Sequence, residues 1–310
     1  MFEATIKAET LKRAIYPLYM LNDEGIFKID YKGMTCQATN PGNVEFGEVT
    51  MPAKAFAWDN FTTHDNLAPH IRTVGIDLKW MMAMLNCTPD GALVDMSIDT
   101  DRIHLNIGMH RLSRRLLDRS KIRKPPKNYD QSYTARMAMS GWFFAAMIKY
   151  LAAGEAIGLE ICAYKDDVQF ASSYNVNDPR HYSFGVDGLT EYSDDARGLY
   201  TIEYLVDIAA GIQPNDKVSL QFGTDTPIKI GYEVDGCEIK HILAPRIDTE
   251  GVIEMNAKTT IWEFDRVRIT RLTHIDEQGR KSKKSRHATK DCGVIDRISI
   301  GISRANGIVK

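Results

Sequence analysis

The chain says the same thing twice at a domain-sized interval, and few folds can satisfy that. Residues 76–118, IDLKWMMAMLNCTPDGALVDMSIDTDRIHLNIGMHRLSRRLLD, correspond to residues 200–246, YTIEYLVDIAAGIQPNDKVSLQFGTDTPIKIGYEVDGCEIKHILAPR. Each stretch is a helix-like apolar stripe, a polar break with a proline, then three runs of alternating apolar and polar residues. At an offset of about 125 residues Trp80 falls on Tyr204, Met81 on Leu205, Met84 on Ile208 and Met96 on Leu220, the self-similarity of repeated units. A period that long suits a duplicated domain, not a solenoid. The 310 residues hold two such copies and a remainder.

Between the copies runs Arg114 to Tyr129, RRLLDRSKIRKPPKNY, basic and stopped by prolines. It has no sustained period of 3.6 or 2, so it reads as an extended connector. The chain therefore divides into a first domain over 1–117, a connector over 118–130, a second domain over 131–248, and a basic tail over 249–310, a β-hairpin or disordered.

Thr10 is placed to cap a short helix with Leu11, Ala14, Ile15 and Leu18 on one face and Lys12, Arg13 and Tyr16 on the other. Pro17 should kink or end that helix, because it lacks an N–H and its ring clashes with the preceding turn. Strand patterns follow at 25–31, 33–38 and 44–51, with a turn at Asn40-Pro41-Gly42-Asn43. A second helix is predicted over 78–85 and a third after Ser140, with Phe144, Met147, Ile148 and Leu151 on its stripe. Further strands read at 158–164, 168–172 and 181–186, and a fourth helix at 202–212 with Glu203 and Asp207 on its outer side. The fold class is α+β, two repeats of curved antiparallel sheet with two helices covering one face of each. Such sheets leave open edges at both ends, and head-to-tail pairing between copies would close them into a ring.

Composition narrows the function. The five cysteines are scattered and never spaced CxxC, which points to buried free thiols in a reducing compartment and away from a metal site. No apolar run reaches the length of a membrane span, and the opening MFEATIKAE reads as a strand with no signal peptide. A protein of the cytoplasm, associated with the nucleoid, is expected. Net charge is −2, but the tail from Thr249 holds 13 Lys and Arg against 8 Asp and Glu. Nucleic-acid affinity in the acidic body would therefore depend on where its basic residues sit. No nucleotide, metalloprotease or nucleophile-elbow motif is present, and the acidic pairs Asp99/Asp101, Asp166/Asp167 and Asp194/Asp195 fall in turns. A binding or scaffolding protein follows, not an enzyme, with no cofactor and no metal.

Five segments carry a resemblance: MFEATIKAETLKRAI, QATNPGNVEF, RRLLDRSKIRKPP, ICAYKDDVQFASS and PIKIGYEVDGCEIKHILAPRI. In order and in register over residues 1 to about 248, they resemble the sliding clamps of archaeal and eukaryotic DNA replication, the PCNA family. The resemblance implies a homotrimeric DNA-clamp ring whose helices line a hole around duplex DNA. Lys12, Arg13, Lys79 and Lys149 would face DNA and contact phosphates without reading sequence. A pocket of Thr39, Asn43, Val44, Phe46, Ile122, Pro227, Ile242, Leu243, Ala244 and Pro245 would take short helical motifs of DNA polymerase, a clamp loader and other factors. Subunits would pair through Met109, His110, Arg111 and Leu112 on one side and Tyr182 and Phe184 on the other. Glu203, where the family usually has a basic residue, weakens the inner positive charge. The alternative is a divergent clamp-like scaffold that binds partners without efficiently encircling DNA.

The resemblance does not extend to the tail. Val267 and Ile269, then Ile298, Ile300 and Ile302, alternate as two strands around the cationic GRKSKKSRHATK. Within it, Ile261-x-x-Phe264 has the spacing of the family's partner motif, so this segment is a candidate occupant of the partner pocket of its own or a neighbouring subunit.

Overall fold

The computed structural model describes residues 2–57, 62–63, 72–124, 131–153, 156–164, 167–173, 181–187, 189–246, 257–264 and 267–274. The repeat seen in sequence is a repeat of elements. The first half runs β1 (Phe2–Lys7), α1 (Ala8–Leu21), β2 (Glu24–Asp30), β3 (Gly33–Thr39), β4 (Glu45–Pro52), β5 (Thr62–Thr63), β6 (Arg72–Asp77), α2 (Leu78–Asn86), β7 (Leu93–Ile98), β8 (Arg102–Ile107) and β9 (His110–Arg115). The second runs β10 (Ala135–Ser140), α3 (Gly141–Ala152), β11 (Gly158–Tyr164), β12 (Asp167–Ser173), β13 (His181–Asp187), β14 (Leu189–Tyr192), β15 (Ala196–Thr201), α4 (Ile202–Ala210), β16 (Lys217–Phe222), β17 (Ile228–Val234) and β18 (Cys237–Leu243). A hairpin follows, β19 (Ala257–Phe264) and β20 (Val267–His274).

The strands form three antiparallel sheets. One has the order β5-β1-β7-β8-β9, one β14-β10-β16-β17-β18-β4-β3-β2-β6, and one β15-β11-β12-β13-β20-β19. The long sheet crosses from one half to the other at β18 and β4, where Ile242 stands opposite Phe46 and His241 opposite Gly47. Helices α1 and α2 pack together in the first half and α3 and α4 in the second. Their stripes, Leu11, Ile15 and Leu18, Met81 and Leu85, Phe144 and Ile148, Leu205 and Ile208, are buried. Gly47 lets α1 lie close to the sheet, since a Cβ there would meet Leu21 Cδ1 at 2.6 Å.

Three local expectations are corrected. Pro17 does not end α1, which continues to Leu21. Its missing N–H forfeits the bond to the Arg13 carbonyl, the buried ring sits beside Gly211 of the second half, and Asn22 N–H closes the helix on the Leu18 carbonyl at 3.1 Å. Thr10 is not the cap, because the helix begins two residues earlier; its hydroxyl donates to Asp235 Oδ2 across the two halves at 2.8 Å. Helix α4 stops at Ala210, short of Ile212, tightening through Gly211 N–H to the Ile208 carbonyl at 3.1 Å. The Ser140 cap is observed, its hydroxyl accepting from Phe143 N–H at 3.3 Å.

In the tail, Val267 and Ile269 do lie in a strand, but its hairpin partner is β19. The segment around Ile298 lies outside the described residues. Ile261 and Phe264 sit in β19, extended, so this segment does not occupy its own chain's pocket as a helical turn.

Candidate functional site

Of the four basic residues predicted on the helices, two carry partners. Arg13 on α1 donates from Nη2 to Asp216 Oδ1 at 3.1 Å and Oδ2 at 3.3 Å, and these side chains are only 19% and 10% exposed. Asp216 is itself held by Gln213 N–H at 2.7 Å. The pair ties the first half to the loop after α4, so Arg13 is a junction residue as much as a surface cation. Lys79 meets Asp23 at 3.3 Å with both groups largely in water, a pairing worth little. Lys12 and Lys149 form no ion pair among the described residues. On α4, Glu203 is exposed, and burial followed by the Glu203 charge pushes the Asp207 carboxyl up from its ordinary range. Elsewhere on the helices Glu9 and Asn86 are exposed, as are the apolar Trp142 and Val206.

The predicted pocket residues divide by face. Gly47 faces α1, so along β4 Phe46 and Glu48 face the opposite, outer side. Register carries that outer face to Thr39 and Gln37 on β3, Ile26 on β2 and Ile242 on β18. Gln37 Nε2 donates to Glu48 Oε2 at 2.6 Å along it. Thr39, Phe46 and Ile242 therefore share one surface, flanked by the Asn40 turn. Asn40 Oδ1 accepts from Val44 N–H at 3.0 Å, Asn43 takes a positive φ of 56°, and Ala244 N–H donates to the Val44 carbonyl at 2.8 Å. Pro227 and Pro245 adjoin it, since Ile228 lies opposite Leu243. Leu243 itself points inward and is core.

Ile122 is not brought to this group. It stands over Gly75 of β6, four strand spacings or about 19 Å from β18. There the connector docks, with Leu117 N–H donating to the Gly75 carbonyl at 2.9 Å and Ile122 buried. A Cβ on Gly75 would come within 2.6 Å of Ile122 Cδ1 and 2.7 Å of the Leu117 oxygen. No local motif announces this role of Gly75. Behind β4, on the inner face, His241 Nδ1 and Glu45 Oε1 lie 3.2 Å apart, both buried.

The predicted subunit edges differ from one another. Among the described residues strand β9 ends its sheet with an open side; Met109 is 98% exposed, His110 and Arg111 are exposed and Leu112 is half-buried. Beside it Asp99 accepts from His104, which with the Asp101 and Arg102 N–H groups holds its carboxyl well below the usual range. Strand β13 is not open: Tyr182 stands opposite Arg271 and Phe184 opposite Ile269 of β20. Among the described residues no group of three or more His, Cys, Asp or Glu is disposed to hold a metal, and no helix is long and apolar enough to cross a membrane.

Two equivalent units, each with a helix pair against antiparallel sheet and joined edge to edge, define the DNA-clamp fold. Solved structures of that fold superpose on the chain. The A. fulgidus PCNA bound to the C-terminal region of FEN-1 matches with a TM-score of 0.71 and 21% identity over 81% of this chain and all of its own. The Thermococcus kodakaraensis PCNA matches with a TM-score of 0.66 and 19% identity over 79% of this chain. By sequence, the DNA polymerase sliding clamp of Methanothrix thermoacetophila is 30% identical over 254 residues, 81% of this chain and 100% of the relative. That of Methanosarcina barkeri is 27% identical over 255 residues. No family model matches. On these relatives the chain belongs to the DNA polymerase sliding clamp family.

Proposed function

We propose that the protein is a sliding clamp: three copies close around duplex DNA and hold DNA polymerase and other replication factors on it. The single observation that carries this is the β18–β4 junction. Strands β9 and β13 are the counterparts of β18 and β4 in the duplicated plan, so the contact that joins the halves can be repeated between copies until a ring closes. The domains are 1–117 and 131–248 with the connector over 118–130. Lys12 and Lys149, with Lys79 and Arg13 through their remaining donors, would touch phosphates without reading bases. Thr39, Val44, Phe46, Ile242, Ala244 and the two prolines form the surface for a partner's short motif, with the connector along its far margin. Tethering acts through effective concentration, because a held polymerase rebinds before it diffuses away. The protein has no catalytic role in this reading and works at the nucleoid.

The test is retention on DNA. After loading by a clamp loader, the protein should stay on nicked circular duplex through a high-salt wash and leave when the circle is cut. Equal loss from circular and linear DNA would overturn encirclement. The second reading, a scaffold that binds partners but encircles DNA poorly, is favoured by the engaged Arg13 and the covered β13 edge.

A further inference from the structure

The tail hairpin lies where a neighbouring copy belongs. In the β18–β4 junction Ile242 stands opposite Phe46 and His241 opposite Gly47. In the β20–β13 pair Ile269 stands opposite Phe184 and Arg268 opposite Gly185. A Phe-Gly pair on the receiving strand thus meets an isoleucine and a basic residue in both, and both pairings are antiparallel. The incoming strand also resembles the one it would exclude. Arg268-Ile269-Thr270-Arg271 of β20 repeats the chemistry of Arg111-Leu112-Ser113-Arg114 of β9.

We propose that β20 is a cis-acting substitute for a neighbour's β9 and holds the β13 edge against assembly until it is displaced. The inference rests on the ring reading above and adds its regulation. An edge strand offers one row of N–H and C=O groups and pairs with one strand at a time. Pairing with β20 and pairing with a second copy's β9 are therefore mutually exclusive. A tail strand on the same chain competes at an effective concentration that a separate copy reaches only when it is abundant. With the tail seated nine-tenths of the time, about one-tenth of the molecules can assemble, and the apparent dissociation constant rises about tenfold.

Two full-length variants test this by sedimentation velocity over a range of concentrations. In Ile269→Pro with Thr270→Pro, adjacent N–H groups point alternately at β13 and β19, so at least one bond to β13 is lost. This variant should self-associate about tenfold more tightly than the parent, and equal association in both would overturn the inference while leaving the ring reading intact. In Ser183→Cys with Thr270→Cys the two positions are directly opposite, and such strand pairs lie about 4.5–5.5 Å apart at Cα, within reach of a disulfide. The oxidised form should remain a single chain at every concentration and assemble on reduction. Failure of the disulfide to form, read by mass, or assembly of the oxidised form, would overturn the seat of β20. Should neither the parent nor the proline variant associate at any concentration, the ring reading fails and the inference with it.

Discussion

Replacing Gly75 by valine should release the start of the connector. A Cβ at this position would stand 2.6 Å from Ile122 Cδ1 and 2.7 Å from the Leu117 carbonyl oxygen. The Ile122 side chain can swing away, but the carbonyl belongs to the backbone, so the connector itself must lift. Lifting exposes Ile122, whose burial is worth about 2 kcal/mol, and breaks the Leu117 to Gly75 hydrogen bond, worth about 1 kcal/mol. Removing a glycine from a strand returns up to about 1 kcal/mol. The net, about 2 kcal/mol, shifts the opening equilibrium about 30-fold. Arg119 and Lys121, between the two docking residues, and Arg123, just after them, are exposed trypsin sites. When opening and closing outpace cleavage, the tryptic rate follows that equilibrium, so the connector should be cut about 30-fold faster. Ile122→Ala, which keeps the Leu117 bridge but gives up that burial, should accelerate cleavage to a similar degree. A Gly75→Val protein cut within about twofold of the parent rate would refute the claim that this glycine seats the connector.

Three further outcomes follow from the contacts. Asp216→Asn should free Arg13, strengthen duplex DNA binding by fluorescence anisotropy and steepen its salt dependence by about 0.9 per freed contact in log–log slope. Glu45→Ala leaves His241 buried without its partner and should lower unfolding stability in urea by about 3 kcal/mol. Burial, then the Glu160 charge, push the Cys162 thiol up to about 11, and burial, then the charges of Asp235 and Glu233, push Cys237 to about 11 as well. A raised thiol pKa leaves less thiolate at pH 8, so iodoacetamide followed by peptide mass mapping should label exposed Cys87 ahead of Cys36, Cys162 and Cys237.

The duplication and the helices were legible because they depend on short-range patterns. Ser140 before an apolar stripe announced α3, and the match of Trp80 to Tyr204 announced the second copy. What escaped depends on distance in the chain. Arg13 and Asp216 are 203 positions apart, and no local pattern distinguishes a paired arginine from one facing solvent. Pro17 misled because its usual penalty counts one lost bond and a clash, while here the ring finds a place beside the second half. Ile261-x-x-Phe264 misled because spacing alone does not say helix or strand. Of the residues proposed for a partner surface, the turn at Asn40 and the end of β18 do meet, but alternation sends Leu243 inward, and Ile122 belongs to a dock that only Gly75 reveals.

The β18–β4 junction also decides where the molecule can give way. It is an unbroken part of a nine-stranded sheet, backed on one face by α1 and locked by the His241–Glu45 pair. Bending there would strip a whole ladder of hydrogen bonds at once, so each chain behaves as a stiff arc. All the compliance of an assembly of such arcs is then concentrated at the contacts between them. In the proposed ring a loader would have one kind of seam to pry apart, and the time the ring remains shut would be set by the strength of that seam and by what competes for its β13 edge.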